Sequence, residues 1–334
     1  YLGGFLIALA MQRWDLHKRI ALKLLTVSGT NGRSLVGGFL LTAALLSMWM
    51  TNTSTTMMLL PIVSSVIAVI ADTVKEIGDK ERRNFSLCLL LGTAFGATIG
   101  GVATLVGTPP NAFLAAFLAD NYGIEISFAR WMLVGVPVTV IMLPLCWLLL
   151  TRLVYPISFQ TSQETRDLLQ RLKAGLGPAS SAERRVGIIF MCVVAGWMTR
   201  PWLSKYLPLD GVSDPGIVMT AAFVMFLVPS GGKNTLRLLN WQQTKELPWE
   251  ILILFGGGLS LAASVSDTGL AHWLGASLVP LGSFGIAAIV VGVVVLVIFL
   301  TELTSNLATT ATLLPVMAAL ALELGVSPVT LTVP

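Results

Sequence analysis

Residues 51–56, Thr51-Asn52-Thr53-Ser54-Thr55-Thr56, set six consecutive hydroxyl or amide side chains between two apolar flanks, Met48-Trp49-Met50 and Met57-Met58-Leu59-Leu60-Pro61. Asn offers both a donor and an acceptor, and Ser and Thr hydroxyls adapt to either role. Placed at a break in a helix, such a run satisfies the freed backbone and still has groups left for solutes. Freed carbonyls can coordinate a cation, and the first amides of the next helix favour an anion. Thr55 and Thr56 are expected to open and cap the second leg.

The same polar knot recurs at an offset of 254. Residues 305–315, SNLATTATLLP, align without a gap on residues 51–61, TNTSTTMMLLP. Six of the eleven positions are identical, from Asn52 and Asn306 to Pro61 and Pro315, and Thr51 against Ser305 is conservative. On the same register Gly3-Gly4 meets Gly257-Gly258, Leu16 meets Leu270, and Ser47 meets Thr301 one helical turn before each knot. A second interruption stands at residues 105–113, LVGTPPNAF, where two prolines must break a helix. It reads either as a plain kink or as a break that lines an ion or substrate path. Before it, Gly92, Gly96 and Gly100, with Gly101 adjacent, give a spacing that permits close helix approach.

Other chemistry is missing from the sequence. There is no HExxH, GxSxG or P-loop, and no His/Asp/Glu cluster suited to a metal. An enzyme has little support, and an ATP-driven pump has none. Cys88, Cys146 and Cys192 lie in apolar segments without CxxC spacing and read as small core residues. His17 and His272 read as surface residues. Glu302 and Asp267 are the few acids in apolar stretches, too few for a proton relay. Glu302 is either a cation ligand or a structural partner of a tip amide.

These residues must be positioned by membrane helices. Of 334 residues 55% are hydrophobic and 11% charged, against about 25% charged in soluble domains. Mean hydropathy is +0.82. The net charge of +4 reflects loop composition and carries no basic stripe for nucleic acid. The fold class is therefore an all-α polytopic membrane protein. Apolar segments fall near 1–11, 34–50, 55–72, 85–119, 131–155, 186–199, 215–229, 249–265, 284–304 and 308–324.

The connections 12–33, 73–84, 152–185 and 230–248 hold most of the Lys and Arg, and residues 249–334 hold none. By the positive-inside rule these connections are cytoplasmic in the plasma (inner) membrane. The alternation then requires 34–72 to enter and leave on the cytoplasmic face, and 284–324 on the outer face. Two copies facing opposite sides make an inverted repeat, which in secondary transporters brackets a site at the midplane. A short exterior turn between two full spans would give the same sidedness. Against it, legs of about 17 residues reach only about 26 Å, and the turn at 51–54 carries no Gly, Pro or charge and is repeated. Residues 1–155 then form the first repeat, with a hairpin at 34–72, a broken helix at 85–119 and a helix at 131–155. Residues 156–185 form a cytoplasmic linker. Residues 186–334 form the second repeat, with scaffold helices over 186–265 and an outer-side hairpin at 284–324. Residues 13–25 read as a helix lying on the cytoplasmic leaflet. The break's repeat partner would fall near residue 361, so the chain is expected to be truncated at its C-terminus, and its first segment to be the middle of a helix.

The paired motifs resemble the divalent anion:sodium symporter family, the INDY-like dicarboxylate carriers. The family's marks are a Ser-Asn-Thr motif at each of two re-entrant hairpin tips and a Gly-Thr-Pro break. Here they read Thr51-Asn52-Thr53, Ser305-Asn306-Leu307 and Gly107-Thr108-Pro109. The resemblance implies one Na⁺ held by Ser47, Thr51, Asn52 and Gly107, and another by Thr301, Thr304 and Asn306. It implies substrate carboxylate contacts from Asn52, Thr53 and Asn306. Leu307 stands where a hydroxyl is expected, which loses a hydrogen bond to one carboxylate. The implied function is elevator-type Na⁺-coupled uptake of a C4-dicarboxylate such as succinate, malate or fumarate, by a homodimer. A tricarboxylate or an inorganic divalent oxyanion such as sulfate is the alternative substrate. A channel or a non-transporting membrane scaffold is the alternative class.

Overall fold

Leu, Ala, Val and Gly runs with few charges leave the helix as the backbone's way to pair its own amides away from water. The computed structural model bears this out. It describes residues 2–29, 31–74, 78–160, 163–206, 212–231, 236–278, 283 and 285–334. Lys75 and Lys233, counted among the basic connections, lie outside the described residues. In chain order the helices are α1 Leu2–Arg13, α2 Leu16–Leu25, α3 Gly32–Ser47, α4 Asn52–Thr73, α5 Asp79–Val102, α6 Pro109–Tyr122, α7 Phe128–Leu148, α8 Gln163–Gly175, α9 Ser181–Tyr206, α10 Asp214–Leu227, α11 Trp249–Asp267, α12 Leu270–Leu278, α13 Ile286–Thr301, α14 Asn306–Glu323 and α15 Val329–Thr332. A π-helical turn, Leu149–Val154, extends α7, and a 3₁₀ turn spans Trp241–Glu246. Among the described residues five helical spans are long and apolar enough to cross a membrane: α4, α5, α7 with its π turn, α11 and α14.

The chain divides into two compact units. The first comprises residues 1–108 and 127–247, the second residues 109–126 and 248–334. The break in the Gly-rich helix is the point where the chain first passes from one to the other. It falls at residues 103–108, earlier than the prolines suggest. Pro109 and Pro110 open α6 instead, where a first-turn residue needs no amide partner.

The first unit is organised by the glycine stripe of α5. Gly92, Gly96 and Gly100 face Val36, Leu40 and Ala44, the matching i, i+4 stripe of α3. A Cβ on Gly96 or Gly100 would collide with the α3 backbone itself, at Leu40 and Ala44. At the far side of α5, α7 does the same. Gly135 abuts the Val102 and Ala103 carbonyls, Trp131 Nε1 donates to Val102 O at 2.9 Å, and Thr139 Oγ1 donates to Ile99 O at 3.0 Å. Below the stripe, Leu25, Val36, Phe39, Val63, Phe85, Leu89 and Leu169 pack into one core.

Residues 156–160 are strapped to this core. Glu81 accepts from Ser158 N at 2.6 Å, Ser158 Oγ at 2.8 Å and Phe159 N at 3.2 Å, and Gly32 N donates to Phe159 O at 3.1 Å. The amphipathic helix expected inside the 156–185 segment is α8, which buries Thr165 and Leu169. The end of the segment is pinned to α2. Arg19 meets the Glu183 carboxylate at 2.7 and 3.1 Å, and Glu183 also takes the Ser180 amide at 2.8 Å, in a capping-box exchange at the start of α9. Burial pushes the Glu183 carboxyl up, but Arg19 and the Ser180 amide together hold it below its ordinary value.

Two side chains depart from expectation. His17 is buried, 4% exposed, with Nδ1 2.9 Å from Met11 O. The tight turn between α1 and α2, with Asp15 in the left-handed region at φ 55°, folds it back under α1. Cys88 is buried as expected, but Cys192 is exposed on α9.

The second unit is built around α14, which packs on α6, α11, α12, α13 and α15. Its core holds Ile289, Val316, Met317, Leu320, Ala321 and Leu331. Gly258 of α11 lets Phe113 and Ala311 approach to where a Cβ would stand 2.9 and 3.0 Å from them. His272 is exposed, as expected, and its Nε2 lies 2.9 Å from Glu323 Oε1.

Two stability tests follow. Gly100→Ala forces α3 and α5 apart and is expected to cost about 1–3 kcal/mol by overpacking. Gly256→Ala, with open space around it, should leave the thermal midpoint in detergent unchanged. For the ion pair, a depressed carboxyl stabilises above its unfolded value and loses that stability as pH falls through the folded one. The parent should therefore lose thermal stability on acidification through the carboxylate range more steeply than Arg19→Gln does. Equal slopes would count against the pair.

Candidate ion and substrate site

The first polar knot is the join between α3 and α4. α3 ends at Ser47, and its last carbonyls are met by 3₁₀-type and α-type bonds from Trp49 N and Met50 N, both to Leu46 O. Thr51 is the N-cap of α4: in extended conformation, φ −63° and ψ 149°, its hydroxyl accepts from Ser54 N at 3.2 Å. The helix therefore begins at Asn52, three residues before Thr55. An N-cap hydroxyl is worth about 1 kcal/mol and sits best outside the first turn, which corrects the expected cap at Thr55 and Thr56. Thr56 Oγ1 instead donates back to Asn52 O at 2.8 Å.

This geometry gathers Ser47, Asn52 and Gly107. Ser47, fully buried, donates to Asn52 Oδ1 at 2.7 Å. Asn52 Oδ1 also lies against Gly101, where a Cβ would come within 2.6 Å of it. A Cβ on Gly107 would come within 2.5 Å of Gly101 O and 2.8 Å of Ser47 O. Two helix breaks thus meet with hydroxyl, amide and carbonyl oxygens together and no charged side chain among these residues. Such a set suits a hard cation that takes oxygen ligands. Ser47 spends its only proton on Asn52 Oδ1, which leaves the Ser47 oxygen as an acceptor and the Asn52 Nδ2 group as a donor. Thr51 stands at the edge, engaged with Ser54, and Thr53 is exposed. Thr55 is fully buried, and its Oγ1 has no hydrogen-bond partner among the described residues.

The second knot, in the second unit, repeats the helix-end and capping bonds of the first. α13 ends at Thr301 and α14 begins at Asn306, again at an offset of 254 from Ser47 and Asn52. The residues following the first legs, Met48 and Glu302, have φ, ψ of −59°, −25° and −66°, −25°. The N-caps Thr51 and Ser305 have −63°, 149° and −78°, 143°. Leu303 N and Thr304 N both bond Leu300 O, as Trp49 and Met50 bond Leu46. Ser305 accepts from Ala308 N at 3.1 Å, and Thr310 Oγ1 donates to Asn306 O at 2.8 Å.

The knots differ in their side chains. Thr304, in the place of Met50, pairs with Thr309 at 2.5 Å, so Thr309 is satisfied where its counterpart Thr55 is not. Thr301 Oγ1 and Thr304 Oγ1 both donate to carbonyls of α13, at 3.0 Å each. Asn306 is exposed, as is Glu302, while Leu307 is buried at 5%.

Gly101 is the residue of this arrangement that sequence reasoning did not single out as a site residue. It was read with the helix-packing glycines, but it lies one position off their i, i+4 stripe. A glycine out of register with a packing stripe, next to the last residue of a broken helix, is the signal that separates it from them.

The whole chain, residues 1–334, matches the sodium:sulfate symporter transmembrane region family. A sodium-dependent dicarboxylate transporter, SdcS, of Staphylococcus saprophyticus is 37% identical over 339 residues, covering 100% of this chain and 65% of that protein. The SdcS proteins of Staphylococcus aureus strains USA300 and NCTC 8325 are each 36% identical over 346 residues, with the same coverage. The chain spans about two-thirds of the length of these relatives, 65% in each case. With its apolar helices and doubled, capped breaks, it is a multi-pass membrane protein that belongs to the sodium:sulfate symporter transmembrane region family.

Proposed function

We propose that this chain forms the ion- and substrate-binding part of a secondary active transporter that couples Na⁺ influx to uptake of a C4-dicarboxylate such as succinate, malate or fumarate. The observation that carries this reading is the convergence of Ser47, Asn52, Gly101 and Gly107 at two helix breaks. Neutral oxygen ligands at that point offer Na⁺ a site without a carboxylate that would also bind protons. Ser47, Thr51, Asn52 and Gly107 hold one Na⁺; Thr301, Thr304 and Asn306 hold a second. Asn52 and Thr53 bind a substrate carboxylate at the N-terminus of α4, and Asn306 binds one at the N-terminus of α14, each where the helix dipole favours an anion. Leu307 stands in place of a hydroxyl there and loses a hydrogen bond to one carboxylate, worth about 1 kcal/mol. The relatives named as dicarboxylate transporters favour the organic dianion. The family description, which names sulfate, keeps an inorganic oxyanion as the second reading.

The rest of the proposal concerns movement. The two knots act as tips of re-entrant hairpins in opposed repeats, residues 1–155 and 186–334, with 156–185 between them. Support comes from α3 and α13, the first legs, which have 16 residues each, about 24 Å long against a hydrocarbon core of about 30 Å. The basic connections face the cytoplasm. An elevator motion of the tip-bearing part against a dimeric scaffold then exposes the site to each side in turn.

The test is uptake into proteoliposomes of labelled succinate, citrate and sulfate, with and without an inward Na⁺ gradient. Succinate should accumulate above its outside concentration only with the gradient, as a channel or scaffold cannot do. Asn52→Ala and Asn306→Ala should abolish this uptake while keeping a monodisperse, parent-like thermal transition. Normal uptake by both variants would refute the site assignment; Na⁺-driven sulfate uptake without succinate uptake would move the substrate to the second reading.

A further inference from the structure

The two breaks of the first unit, residues 48–51 and 103–108, lie side by side, and their separation sets the spacing of the oxygens between them. Thr104 lies midway through the 103–108 break and is fully buried. Its Oγ1 donates to Met48 O at 2.5 Å and accepts from Gly107 N at 3.1 Å. Met48 caps the end of α3, next to Ser47, and Gly107 is the residue facing Ser47 O and Gly101 O. One hydroxyl therefore uses its proton on one break and its lone pair on the other. The surrounding geometry is fixed independently: Trp131 and Thr139 hold the Val102 and Ile99 carbonyls, and Gly135 abuts Ala103. Thr104 spans the gap between the Met48 turn and the Gly107 turn.

We propose that Thr104 is a positioning residue for Na⁺: it sets the spacing of the Ser47, Asn52 and Gly107 oxygens and thereby the affinity for the co-transported cation, without itself touching cation or dianion. This rests on the cation-site reading given above. Its side chain is matched to the task. A hydroxyl can donate and accept at once, which Val, of the same shape, cannot, and a thiol does both only weakly. A mismatch of a few tenths of an ångström in a rigid oxygen cradle acts on a small cation more than on a flexible dianion. The consequence is a change in the Na⁺ dependence of uptake rather than in its maximal rate.

The experiment measures the Na⁺ concentration for half-maximal succinate uptake, and the maximal rate at saturating Na⁺, in proteoliposomes. Thr104→Val should raise the half-saturating Na⁺ about tenfold, from loss of two hydrogen bonds, with the maximal rate largely kept. Thr104→Ser, which retains both bonds, should restore the parent's half-saturation. Thr104→Cys should fall between them, and it carries the test with Thr104→Ser if the Val variant does not fold. A Val or Cys variant with the parent's Na⁺ dependence overturns the proposal, as does a Ser variant as impaired as Val. Asn52→Ala is run alongside, with Na⁺ binding read from the Na⁺-dependent rise in its thermal midpoint. If Asn52→Ala keeps the parent's Na⁺ response, the cation site itself is wrong and the proposal falls with it. If Asn52→Ala loses that response while Thr104→Val keeps it, only the role of Thr104 falls.

Discussion

Everything near the candidate site depends on how closely the backbones of α3 and α5 approach. Gly96 and Gly100 allow the α5 surface to rest on the Leu40 and Ala44 backbone. In a membrane there is little hydrophobic gain from bringing helices together, so close packing and polar contacts must supply the attraction. The close seam also has a positional effect. It carries the C-terminal end of α3, with Ser47, to the C-terminal end of α5, with Gly101. Two helix ends are then side by side, and the Gly101 and Gly107 positions leave no Cβ between them. The seam is a packing device over most of its length and, on the proposed reading, a binding device only in its last turn.

The two polar knots share a local cause. In each, a β-hydroxyl residue, Thr51 or Ser305, stops the chain in extended conformation and caps the next helix. In each, a threonine one turn on, Thr56 or Thr310, bonds back to the first carbonyl. These interactions span no more than five residues, so the same short sequence folds the same way in two different surroundings. What local sequence does not fix is the fate of the remaining hydroxyl. Thr309 has Thr304 as partner, whereas Thr55 faces a site where Met50 offers nothing. The repeat thus fixes the backbone of both knots, and single substitutions give each its own chemistry.

This division explains what could be read in advance. The helices, the knots, the glycine stripe and the amphipathic segments α2 and α8 were legible because each rests on composition, on i, i+4 spacing or on repetition. The cap at Thr51 was misplaced at Thr55 because a run of six cap-competent residues does not say which one stops the chain. The break was placed at the prolines, although prolines tolerate the first turn of a helix; the α5 end is set by α7, through Trp131, Gly135 and Thr139. His17 read as a surface residue in a basic stretch, yet the Asp15 turn buries it. Gly101 and Thr104 were missed as site residues for a common reason: their roles come from contacts with Asn52 and Met48, some fifty residues away.

Asn52 shows how such a site can couple two solutes. Its Oδ1 is committed toward Ser47 and Gly101, the side on which the proposed cation would lie. The same planar amide carries Nδ2, the donor that remains for an anion. A cation that draws on Oδ1 fixes the plane of the amide and hence the direction of Nδ2. On the proposed reading, Na⁺ therefore prepays part of the ordering that dianion binding requires. The coupling must be reciprocal: if Na⁺ tightens the dianion, the dianion tightens Na⁺ by the same factor, typically about 1–3 kcal/mol. A charged ligand in place of Asn52 would bind the cation more strongly but would repel the dianion. A neutral amide serves both because it presents an acceptor to one and a donor to the other.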